Sequence, residues 1–245
     1  MKNESVLARV SISSFLLMLF VFASVLFQSC GRTGSIGTYP DGSPKRVIGY
    51  ISGWYGKLDP AKVPVQMLTH INYAFSIIKD GKMVTRHDID PENFKILGKL
   101  KKKNPELKIL ISVGGWADSG YFSDMALTAE SRKVFIDSAI EYIKKYKLDG
   151  LGVDWEYPAQ LGNNNRFRPQ DKRNYTLLLK ELRERFDLEK KSNGTYYLLT
   201  VAVGAAPVFR QFTEIPKLHK YLDFINLMTY DYAGGWTTET GHHTN

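Results

Sequence analysis

Six short apolar runs, at residues 46–51, 70–77, 107–113, 150–155, 196–203 and 224–229, alternate with stretches of helical periodicity. In the first such stretch Phe94, Leu97 and Leu100 share a face behind Asp90-Pro91, which reads as a capping side chain followed by a first-turn proline. Phe135, Ala139, Ile143 and Tyr146 make a second stripe, and Asp171 can cap a third helix lined by Leu178, Leu182 and Phe186. Strands that are apolar throughout and separated by helices predict a parallel sheet covered on both faces. An open doubly wound sheet and an eight-stranded β/α barrel both meet that description. No Gly-x-Gly-x-x-Gly follows the first run, which removes the main support for a nucleotide-binding open sheet. The segments beyond the C-terminal end of each run are polar, aromatic and Gly-rich, and barrel enzymes place their sites there.

The first 30 residues differ in kind. Lys2 and Arg9 flank a polar start, and an apolar run follows from Val10 to Phe27. It reads as a secretion signal, with a membrane span as the alternative. Cys30 is the only cysteine, so no internal disulfide can form. Leu26-Phe27-Gln28-Ser29-Cys30-Gly31 resembles a bacterial lipoprotein cleavage site, which implies lipid on Cys30 and a membrane-anchored protein, periplasmic or at the cell surface. A plain signal peptide and a secreted protein are the alternative. Residues 31–45, rich in Gly, Ser, Thr and Pro, read as a flexible tether to a domain that begins at Arg46. The net charge of +8 is dispersed, and the densest basic run, Lys99 to Lys103, falls at a predicted helix end. No nucleic-acid motif is present, and no nucleic-acid partner is expected. His70, His87 and His219 are isolated, and adjacent His242 and His243 lack ligand spacing, so neither metal nor cofactor is expected.

The most informative run is the fourth. As a strand it alternates, with Leu151, Val153 and Trp155 toward the helices and Gly150, Gly152, Asp154 and Glu156 toward the barrel interior. The Cα atoms of Asp154 and Glu156 would be about 6–7 Å apart. Carboxylates inside an apolar strand are costly unless hydrogen-bonded or protonated, and two of them together resist double ionisation. One raised pKa is what a general acid near neutral pH requires. A surface strand end with two solvated acids is the alternative.

Asp149-Gly150-Leu151-Gly152-Val153-Asp154-Trp155-Glu156-Tyr157-Pro158 resembles the strand-four motif of family 18 glycoside hydrolases, Asp-x-x-Asp-x-Asp-x-Glu. Ser112-Val113-Gly114-Gly115-Trp116 is similar to that family's Ser-x-Gly-Gly after strand three. Met228-Thr229-Tyr230-Asp231 is similar to its Met-x-Tyr-Asp after strand six. Gly152 departs from the motif, which usually has Asp there to pair with the next Asp. Its absence is expected to let Asp154 ionise more readily and turn more freely toward Glu156.

The resemblance implies a (β/α)8 barrel that hydrolyses β-1,4-linked N-acetylglucosamine polymers, chitin or chitooligosaccharides. The mechanism implied is retaining and substrate-assisted, through an oxazolinium intermediate. Glu156 is then the acid and base, Asp154 holds the acetamido N–H, and Tyr230 aligns the acetamido oxygen. Trp116, Tyr50, Phe75 and Tyr157 are candidate sugar contacts, Met228 and Asp231 shape the subsite floor, and Gly114 and Gly115 let the backbone pass close beneath the sugar. A simple glycine turn, and core packing of the aromatics, are the alternatives. A non-catalytic sugar-binding relative and an endo-β-N-acetylglucosaminidase acting on N-glycans remain as other functions. Six strands also fall short of the family's eight, and nothing matches its strand-eight Trp. The chain is therefore expected to be a fragment, with open sheet edges, that is poorly soluble and inactive when made alone.

Overall fold

Each of the six apolar runs forms a strand, with ends no more than two residues from those expected. The computed structural model describes residues 37, 42, 43 and 45–243. The proposed signal, Cys30 and most of the tether lie outside the described residues. The described residues from Arg46 onward form one unit.

The strands are β1 (Ile48–Ser52), β2 (His70–Lys79), β4 (Lys108–Gly114), β5 (Gly150–Asp154), β6 (Leu198–Gly204) and β7 (Phe224–Met228). They pair in parallel in the order β1-β2-β4-β5-β6-β7, the order of a β/α barrel opened between its first and last described strands. The sheet curves enough for Asn226 Nδ2 of β7 to donate to Tyr50 Oη of β1 at 3.4 Å.

The helices are α1 (Asp90–Leu100), α2 (Phe122–Met125), α3 (Ala129–Tyr146), α4 (Asp171–Asn193) and α5 (Ile215–Leu218). The three predicted stripes supply the core. Phe94, Leu97, Phe135, Ala139, Ile143, Leu178, Leu182 and Phe186 are all buried against the outward residues of the strands. Leu151, Val153, Leu199 and Val201 are fully enclosed by them. Trp155 follows the same alternation, stacking on Phe122 of α2 with centroids 5.2 Å apart and meeting Tyr175 of α4 edge-on at 5.7 Å. That leaves the other face of β5, with Gly152 and Asp154, to the interior.

Two expectations are corrected at helix starts. Asp90 and Asp171 are the first helical residues rather than caps, and the residues before them carry no capping side chain. Their carboxylates hold the entering loops instead. Asp90 accepts from the backbone N–H groups of Arg86 and His87 and from Tyr73 Oη at 2.7 Å. Asp171 accepts from Arg168 N–H at 2.7 Å and Ser123 Oγ at 2.8 Å. A further strand, β3 (Lys82–Thr85), pairs antiparallel with β2. Asp80 and Gly81 join the two with φ of 51° and 73°, the pair of positive angles that a two-residue hairpin turn demands and that Asp-Gly tolerates.

Candidate active site

The C-terminal ends of the strands surround a cavity of about 780 Å³. β5 ends in it with Asp154, and the chain continues through Trp155 into Glu156. The loop after β4 fixes this exit. Gly115 N–H donates to the Asp154 carbonyl at 2.8 Å. The Ser119 hydroxyl accepts from Glu156 N–H at 2.9 Å and lies 2.9 Å from the Gly115 carbonyl oxygen. Gly114, at φ 103°, is where the backbone turns, and a Cβ there would fall 2.3 Å from the Asp154 carbonyl oxygen. A Cβ on Gly115 would strike the Phe75 ring at 2.7 Å. Neither glycine lines the cavity. The close approach they permit is to protein, of β4 to β5 and of the loop to Phe75, where a sugar contact was expected.

Asp154 and Glu156 are buried, with 4% and 8% of their surface exposed. Their carboxyls share a hydrogen bond. Burial raises the Asp154 carboxyl well above the usual carboxylate range, and the neighbouring Glu156 charge and the shared bond raise it further. Burial also raises Glu156, opposed by a hydrogen bond from Tyr157 and reinforced by the Asp231 charge. The two carboxyls therefore resist ionising together.

Of the residues singled out from sequence, Tyr50, Phe75, Trp116, Tyr157, Met228, Tyr230 and Asp231 join the two carboxyls around the cavity. Trp116, about half exposed, meets Tyr157 edge-on at 6.4 Å, and Tyr157 meets Phe209 at 6.1 Å. The three rings make an aromatic wall. Burial pushes the Tyr50 phenol up to about 12, with the neighbouring Asn72 and Asn226 amides opposing the shift. Tyr230 is raised by burial and by the Asp154 and Glu156 charges. Both phenols thus stay protonated at neutral pH and can donate.

Sequence reasoning missed Gln160, Phe209, Tyr232 and Trp236, which also line the cavity, and Ser119, which positions Glu156. All lie in segments that follow strand ends, where barrel sites concentrate. That placement was the available signal for them.

The family model for glycosyl hydrolases of family 18 matches residues 46–245. Chitinase A1 of Niallia circulans is 35% identical over 94% of this chain and 40% of its own length. A family 18 N-acetylglucosaminidase from Paenibacillus barengoltzii superposes with a TM-score of 0.74 at 42% identity, over 82% of this chain and 57% of that one. YKL-39, solved in the presence of chitooligosaccharides, superposes with a TM-score of 0.72 at 32% identity, over 82% of this chain and 56% of that one. The chain thus spans about half the length of the proteins it resembles.

Proposed function

The chain belongs to family 18 of the glycosyl hydrolases, and on that premise we propose that it hydrolyses β-1,4-linked N-acetylglucosamine polymers, chitin or chitooligosaccharides. The observation that carries this reading is the buried pair of neighbouring carboxyls, Asp154 and Glu156, in a cavity walled by Trp116, Tyr157 and Phe209. Aromatic faces suit the apolar faces of sugar rings, and a protonated carboxyl suits a leaving glycosidic oxygen. The likeness to chitinases and to a protein solved with chitooligosaccharides supports the same substrate class.

Glu156 gives its proton to the glycosidic oxygen as the bond to the anomeric carbon breaks. The substrate's acetamido oxygen attacks that carbon and closes an oxazolinium ring. Asp154 accepts the acetamido N–H and offsets the positive charge of the ring, while Tyr230 donates to the acetamido oxygen and aligns it. The Glu156 carboxylate then takes a proton from water, whose oxygen attacks the anomeric carbon from the face the leaving group vacated. The ring reopens, the β configuration is retained, and Glu156 is protonated again. We also propose export of the chain, with lipid on Cys30.

The test is a pair of assays, run with the chain carried in a protein of its relatives' full length. Turnover of chitooligosaccharides with β product seen first by proton NMR is expected. Release of glycans from an N-glycoprotein without chitooligosaccharide turnover would make the chain an endo-β-N-acetylglucosaminidase. Binding of chitooligosaccharides with no turnover of either substrate would make it a sugar-binding relative and overturn the proposal.

A further inference from the structure

Beneath Asp154 the interior face of the sheet is polar. Ser112 of β4, Gly152 of β5 and Thr200 of β6 lie in register across three adjacent strands. A Cβ built on Gly152 would meet Thr200 Oγ at 3.2 Å, Ser112 Oγ at 3.7 Å and the Ile111 carbonyl oxygen at 3.9 Å. These three nearest neighbours are all oxygens, so the position a side chain would take at residue 152 is a cradle lined by hydrogen-bonding groups. Thr200 is fully buried and its hydroxyl has no hydrogen-bond partner. Asp154 stands two residues further along the same face of β5, roughly 6–7 Å away along the strand. Its Oδ1 is likewise buried without a partner. Two such groups beside a polar cradle are an unusual concentration, because buried polar atoms in folded proteins are nearly always satisfied.

We propose that this cradle binds one water molecule, and that Thr200 acts through it as a positioning residue for Asp154. A water beside that point would have Thr200 Oγ and Ser112 Oγ as its nearest side-chain neighbours, and Asp154 Oδ1, on the same face of β5, as its acceptor. The Thr200 hydroxyl donates to the water, and the water donates to Asp154 Oδ1. The chain of donors favours the carboxylate form of Asp154 and holds its rotation, the task a second carboxyl at position 152 would otherwise perform. The consequence for the reaction rests on Asp154 being the acetamido-binding carboxylate, whereas the water site does not.

A high-resolution crystal structure of the full chain is expected to show a water within hydrogen-bond distance of Thr200 Oγ and Ser112 Oγ. Carbon-13 NMR of labelled carboxyls then reads the titration of the Asp154–Glu156 pair without any need for turnover. Thr200→Val keeps the shape and removes the donor, so the apparent pKa of the pair is expected to rise by about one unit, the scale of one hydrogen bond to a charged group. Thr200→Ser keeps a hydroxyl and is expected to titrate like the parent. An empty cradle, a Thr200→Val titration superimposable on the parent's, or an equal shift in Thr200→Ser overturns the proposal. A chain that hydrolyses no chitooligosaccharide still decides it, so the two failures are distinguishable.

Discussion

The backbone N–H of Glu156 is held by the hydroxyl of Ser119 at 2.9 Å, so a residue of the loop after β4 fixes where the proposed acid, two residues beyond β5, stands. Ser119 is buried, with 1% of its surface exposed, and the same oxygen reaches back to the Gly115 carbonyl. Ser119→Ala removes the acceptor and leaves the Glu156 N–H unsatisfied. A small displacement of an acid from its working position costs up to about 100-fold in rate. In a protein of the relatives' full length, we expect kcat to fall about tenfold or more with KM little changed, while the unfolding free energy drops by about 1–3 kcal/mol. Steady-state kinetics beside denaturant unfolding checks both, and unchanged kcat would mean that the loop does not set the acid.

Glu156→Gln keeps the shape of the side chain and the backbone bond to Ser119 but removes the transferable proton. Loss of a general acid is worth about 100- to 10,000-fold. Turnover is expected to fall by that factor while calorimetric affinity for chitooligosaccharides stays within a fewfold. Retained turnover would remove Glu156 from the acid's role.

Trp155 points away from the cavity into the packing between β5, α2 and α4, with 1% of its surface exposed. Truncation to Ala deletes the stack on Phe122 and the edge contact with Tyr175. The expected cost is about 3–5 kcal/mol of stability. Trp155→Phe keeps part of the stack and should cost less. Equal unfolding midpoints for parent and Trp155→Ala would contradict the packing.

The alternation that sends Trp155 outward also made Asp154 and Glu156 legible, since period two fixes the facing of every residue once one face is known to be apolar. Helix faces were legible for the same reason, at period 3.6. The cavity wall was not, because Gln160, Phe209 and Trp236 lie in segments without a period and their directions depend on local turns. Asp90 and Asp171 show a finer limit. An Asp before an apolar stripe can be the cap or the first helical residue, and the difference of one position decides whether it binds its own helix or the preceding loop. The β2–β3 hairpin carries a signal in Asp80-Gly81, but Lys82–Thr85 is too short a run to stand out as a strand.

Cys30 tests the export proposal. Labelled fatty acid supplied to the producing bacterium is expected to enter the parent and not Cys30→Ser. Equal labelling of the two, or labelling of neither, would leave an ordinary signal peptide or a membrane span as the reading of residues 10–27.

His70 gives the fold a pH dependence away from the cavity. It opens β2, has 8% of its surface exposed, and packs edge-on against Phe224 of β7 at 5.1 Å. Burial, then the charges of Arg46 and Lys108, lower its pKa from 6.5 to about 4. The unfolded chain therefore takes up this proton before the folded one does. The stability that neutral His70 allows is complete above the unfolded pKa, and it is lost as pH falls from about 6.5 toward 4. The slope within that window is at most about 1.4 kcal/mol per pH unit, so the loss by pH 5 is about 2 kcal/mol. His70→Gln cannot titrate, and its stability should change less between pH 7 and pH 5 by that amount, whatever other groups contribute to both proteins. Denaturant unfolding of the two proteins at both pH values measures the difference directly. Parallel losses would show that His70 protonates as easily folded as unfolded, and that its burial between β2 and β7 is looser than the packing against Phe224 implies.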